Sequence, residues 1–217
     1  MDLRGHVVGE PLGPVPHGQS FAATSVPDGA PVELEVLRVG DPFARVRLLS
    51  AADALRRCDG RGLVRVRQVV GPPGHGQGDD VVVVVRDRVD GPDLDTAPRP
   101  SPSAAVGLVA DVLEALAVLH AVGQVHGALD GRAVRLDVSV PARPTPHLTG
   151  WGTSALLSGA ARPADDVRDA GLLLDGLLGG EVPPALRDLL GALLSADPAA
   201  RPDAATAATA LRALDLD

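Results

Sequence analysis

Val106, Leu108, Val109, Val112, Leu113, Leu116, Leu119 and His120 recur at helical spacing between Ser103 and Gly123. An apolar face of that length has to be covered by other elements, and Gly123 supplies its stop. What precedes it is not helical. Val32–Leu37 (V-E-L-E-V-L) alternates with period two, and Leu63–Val70 and Val81–Asp87 are runs of branched residues. The polar, proline-rich stretch Asp93–Ser103 separates the two regimes as an extended linker. Strands before the linker and helices after it predict an α+β chain. Its expected parts are residues 1–92, a hinge at 93–103, and residues 104–217. The 217 residues suffice for one large or two small lobes. Aromatics are 1% of a chain that is 45% hydrophobic, so Val, Leu and Ala must build the core.

Several function classes fall away on composition. The net charge of −8 opposes nucleic-acid binding, which needs a basic footprint. All 20 basic residues are arginine, and a phosphate loop of the Walker type requires a lysine. Cys58 is alone, which rules out an intrachain disulfide. The first residues lack the basic and apolar regions of a signal peptide. The longest uninterrupted apolar run, Val81–Val85, is far shorter than the roughly 20 residues of a membrane span. A cytoplasmic protein without a membrane span is expected. The six histidines are scattered without metal-ligand spacing, so no metal site is expected.

Four motifs follow one another in the second half. Val125–Asp137 reads V-H-G-A-L-D-G-R-A-V-R-L-D. Gly150-Trp151-Gly152 follows a short strand pattern. Asp166–Gly171 reads D-V-R-D-A-G, and Asp197–Pro202 reads D-P-A-A-R-P. In this order they resemble the protein kinase superfamily: its catalytic loop V-H-R-D-L-K-P-E-N-V-L-L-D, its Asp-Phe-Gly, its D-V-x-x-x-G and its D-P-x-x-R-P. The resemblance runs from about Val7 to Leu214. It implies a bilobal fold with a small antiparallel-sheet lobe carrying one helix, at Leu48–Arg57, and a mainly helical large lobe. The interval from Gly152 to Asp166 leaves no room for the family's activation segment, and its αG helix is also missing. His126, Trp151, Leu55 and Val66 match the apolar stack of the family, Asp166 its anchor, and Arg201 an arginine that pairs with a buried carboxylate.

The same resemblance marks five altered positions. Glu35 stands for the phosphate-binding lysine, Ala51 for that lysine's glutamate partner, and Ala128 for the catalytic aspartate. Ala133 and Gly150 stand for the two magnesium ligands. In the glycine loop Gly13 and Gly18 match, Val15 replaces the middle glycine, and Pro14 and Pro16 remove two N–H donors. Glu33 falls above the adenine position, Arg86 at or beside the gatekeeper, and Arg135 beneath adenine. The expectation is a pseudo-nucleotide cleft in which Arg135, with Arg86, pairs with Glu33 or Glu35; a solvent-facing acidic strand is the alternative for the two glutamates. A catalytically inactive pseudokinase is expected, with no cofactor and no enzyme activity, acting as a protein-interaction or regulatory module in intracellular signalling. Its partner would be a protein, an active kinase or a phosphopeptide-binding domain, with Thr149, Thr153, Ser154 or Ser101–Ser103 as phosphoacceptors. The alternative is a nucleotide-binding sensor or an atypical nucleotide-dependent transferase with a rearranged site, for which Asp130 would be the base.

Overall fold

The computed structural model describes residues 5–58, 60–71, 80–139 and 144–214. The chain divides into two compact units, one of Met1–Asp59, Val64–Arg88 and Leu156–Gly159, the other of Gly60–Leu63, Val89–Ala155 and Ala160–Asp217.

The first unit is built on a five-stranded sheet of order β1-β2-β3-β5-β4, antiparallel throughout: β1 His6–Val15, β2 Gly18–Ser25, β3 Pro31–Arg38, β4 Val66–Val70 and β5 Val81–Asp87. One face carries an aliphatic cluster of Ala23, Val32, Leu34, Val83 and Val85. Such β-branched, alternating side chains suit a pleated, covered surface. The helix expected at Leu48–Arg57 is instead two: α1 Pro42–Ser50 and α2 Ala52–Arg57. Asp41 caps α1, its carboxylate accepting from the Phe43 N–H at 2.9 Å, and Pro42 takes the first helical position. Leu48 and Leu55 are fully buried, and Cys58 is buried at the end of α2.

The second unit is organised by α3, Pro102–Ala121. Ser101 caps it, Oγ accepting from the Ala104 N–H at 3.3 Å. By length and hydropathy alone α3 is apolar enough to cross a bilayer. Its Val109, Leu113, Leu116 and Leu119 are buried, and it packs against α5, Pro163–Leu178, and α7, Ala204–Arg212. Arg212 ties α7 to α3 through Glu114, 2.9 Å away, and Asp111. A two-stranded ribbon of β6, Val134–Asp137, and β7, Thr145–Leu148, leads to the short α4, Thr153–Ser158. The sequence gives α4 no periodicity of its own. The end of α4 from Leu156 onward belongs to the first unit, where Arg47 of α1 donates to the carbonyls of Leu156 and Leu157 at 3.0 and 3.1 Å. Helix α5 ends at Gly179, whose φ of +66° is the left-handed conformation that favours glycine. After it come a 3-10 turn at Pro184–Leu186 and α6, Arg187–Leu193.

Candidate functional site

In the first unit the residues of interest share one sheet face. Glu33 lies opposite Arg86 across the β3–β5 pair and opposite Ala22 across β2–β3, while Glu35 lies opposite Val84 and Ser20. Period-two geometry therefore puts Glu33, Glu35, Arg86 and Ser20 on the same side. That side is covered. Glu33 is 7% and Glu35 2% exposed, so the reading of a solvent-facing acidic strand is corrected. The fully buried Arg86 donates from Nε to Glu35 Oε1 at 2.9 Å and from Nη2 to Oε2 at 3.4 Å. This two-pronged geometry lets a guanidinium satisfy a carboxylate away from water. Ala51 lies between α1 and α2 and brings no charge to the pair.

Gly18 is fixed by packing. A Cβ there would stand 2.0 Å from the Val36 carbonyl oxygen, so the glycine permits the close approach of β2 to β3. Gly13 has φ +144° with open space around it, and its carbonyl accepts from Ser20 Oγ at 3.4 Å.

In the second unit the loop after α3 is built around Asp166. This fully buried carboxylate on α5 accepts from the His126 N–H and the Gly127 N–H, each at 2.8 Å, and lies 2.9 Å from His120 Nε2. The His126 ring accepts from the Ala128 N–H at Nδ1, 3.3 Å, which leaves Nε2–H to donate to the Thr149 carbonyl at 3.0 Å. Gly127 has φ +80°, and a Cβ on it would meet the Ala155 backbone at 2.9 Å, so no side chain fits there. Asp130 caps the 3-10 turn Gly131–Ala133, accepting from the Ala133 N–H at 3.0 Å. Gly150 and Gly152, at φ +71° and +78°, flank the fully buried Trp151. Ala133 and Gly150 carry no side-chain oxygen, so the donor set through which the family holds magnesium is not the one present at these positions.

Arg135 behaves unlike Arg86. It donates to the Gly91 carbonyl at 3.5 Å within its own unit. Arg201 also departs from expectation. It donates to the Ser195 and Ala164 carbonyls at 2.9 and 2.7 Å, and its carboxylate neighbour, Asp165 at 3.4 Å, is 37% exposed. Among the expected phosphoacceptors Thr153 and Ser154 are buried, as is the Thr149 hydroxyl, whereas Ser101 and Ser103 are exposed.

Sequence reasoning missed a pocket of about 560 Å³ within the second unit. It lies between the segment after Leu94, the turn at Asp130, and one face of α5 bearing Leu172, Leu173 and Leu177. Asp169 lines it, its carboxyl raised above the usual range by burial and by nearby Asp166. The signal for the pocket was present in Pro98 and Pro100, which forbid a helix over this face.

The fold has close counterparts. Crystal structures of the kinase domain of Mycobacterium tuberculosis PknI superpose with TM-scores of 0.79 for a double mutant and 0.77 for the kinase domain without it, at 19% identity. The first match covers 98% of this chain and 96% of that domain. The chain has the protein kinase fold. By sequence, this kinase-like chain is 35% identical over 142 residues to the serine/threonine-protein kinase PkaB of Streptomyces coelicolor. The match takes in 60% of the chain and spans about a third, 32%, of that relative. No family model matches.

These comparisons correct the expectation that the chain is no enzyme. The relative is named a serine/threonine-protein kinase and the structural neighbours are kinase domains, so the comparisons point away from reading the chain as no enzyme. The expectation rested on five aligned positions alone. The second unit also holds Asp130 at the mouth of a pocket shared with Asp95 and Asp169, so carboxylates are not lacking around the loop.

Proposed function

We propose that this kinase-like protein is a regulatory module in signalling that acts by binding a protein partner. The observation that supports this reading most directly is the uncovered face of α5. Leu172, in the middle of the helix that anchors the second unit, is 48% exposed beside the pocket of Leu173 and Leu177. An exposed aliphatic face on a central helix is a feature of interaction surfaces. The exposed Ser101 and Ser103 at the start of α3 favour an active kinase or a phosphopeptide-binding domain as the partner, because phosphate is well accommodated at a helix N-terminus.

A second reading is a nucleotide-dependent transferase with a rearranged site. It is favoured by the relative's name and by Asp130, the acid of the loop. One experiment separates the two. The chain is isolated from its native host, its partner identified, and the complex rebuilt from pure components. The module reading expects a stoichiometric complex that Leu172→Glu abolishes. A chain that stays monomeric and transfers radiolabelled phosphate from ATP to a protein would overturn it.

A further inference from the structure

The pocket on α5 has a shape and charge that specify an occupant. Segment 93–101 is turn and extended chain, interrupted by Pro98 and Pro100, at the place where kinases have a short helix. The face of α5 beside this segment is a groove with an aliphatic floor of Leu94, Leu129, Leu173 and Leu177. Its rim is acidic. Asp95, Asp130 and Asp169 line it; Asp95 pairs with Arg132 at 3.4 Å, and Arg99, the cation among the lining residues, donates to the Gly176 carbonyl at 2.9 Å, so the acidic character rests on Asp130 and Asp169. The volume, about 560 Å³, is in the range of sites that take several side chains at once.

We infer that this groove docks a basic amphipathic helix of the partner protein, aliphatic side chains on the floor and arginine or lysine against the carboxylate rim. This rests on the proposed role as an interaction module. A helix in a groove is read through anchors at i, i+3, i+4 and i+7, which matches an aliphatic floor laid along α5. The partner's cations complement the exposed Asp130 and the half-buried Asp169. Asp169 supports the same polarity, since a docked cation reverses the effect of burial on its carboxyl.

The test uses the full chain and a fluorescein-labelled helical peptide of about 16 residues, with leucine at those spacings and arginine on their flanks. Anisotropy should show binding at least about tenfold tighter than for a version with glutamate in place of arginine, and the affinity should fall as salt rises. Gly176→Leu is the decisive variant. A Cβ at Gly176 meets nothing within 4 Å, so the new side chain enters the groove without disturbing the helix. It should weaken the peptide about tenfold or more while the unfolding midpoint stays the same or rises. Equal binding of the glutamate peptide, or undiminished binding by Gly176→Leu, overturns the groove. A partner complex that survives Gly176→Leu likewise overturns the groove but leaves the module reading standing. Peptide binding with no partner complex at all overturns the module reading instead.

Discussion

Glu35 and Asp166 are both buried carboxylates, one in each unit, and they are satisfied in opposite ways. Asp166 is held chiefly by backbone: the His126 and Gly127 N–H groups donate to it whatever side chains those residues carry. Glu35 is held by the side chain of Arg86 on a neighbouring strand. The difference governs how sequence can drift. Around Asp166 the backbone N–H groups of His126 and Gly127 make the contact, so the side chain at position 127 does not enter it. Around Glu35 neither partner can change alone without breaking the buried pair.

That contrast is broken most severely at Asp166. Asp166→Ala removes the acceptor of the buried His126 N–H, the part-buried Gly127 N–H and the His120 ring, and hydrogen bonds to a charged acceptor are worth about 1.5–3 kcal/mol each. We expect a loss of about 5 kcal/mol in urea unfolding, a large part of a domain's stability. Arg86→Ala or Glu35→Ala should each cost about 3–5 kcal/mol, because each breaks a buried, two-pronged ion pair. The double replacement Arg86→Met with Glu35→Leu sharpens the comparison. It should recover most of that loss, whereas no side-chain replacement near Asp166 can do so; a double variant as unstable as the singles would show that the pair is not self-contained.

Gly18→Ala comes next. Its Cβ would press on the Val36 carbonyl, and a loss of about 1–3 kcal/mol is expected from thermal melts, with no ligand present. The smallest effect is at Asp169. Its folded-state carboxyl is raised, so the protonated form is favoured by folding, and the group's contribution is lost as pH rises from the unfolded value through the folded one. Asp169→Asn should therefore raise the midpoint at neutral pH, and the gain should shrink toward pH 4, as followed by melts across that range.

Much of this arrangement was legible in the sequence, because it rests on local patterns. The alternation of β3, the apolar face of α3, and the four ordered motifs gave the fold class and the anchor at Asp166. What was not legible depends on long-range partners. Glu33 and Glu35 look like a solvated face by period alone; the resemblance set Arg86 and Arg135 against them, and the strand pairing brings Arg86 to Glu35, while Arg135 turns to the Gly91 carbonyl. The Leu156–Leu157 end of α4 is bound by Arg47, more than a hundred residues earlier. The start of α1 was readable, since Asp41-Pro42 is a cap followed by a first-turn proline, while its break at Ala51 has no breaker residue. Arg201 reaches carbonyls and the half-exposed Asp165 where the resemblance implied a buried acid.

The claim that the chain meets its partner through the second unit is tested most directly by a benzophenone photocrosslinker placed in the native host at two exposed apolar positions. One replaces Leu172 on α5, the other Phe43 on α1, which is 77% exposed. The account predicts one discrete protein adduct from position 172 and none from position 43. An adduct from position 43 alone, or from neither position, would contradict it.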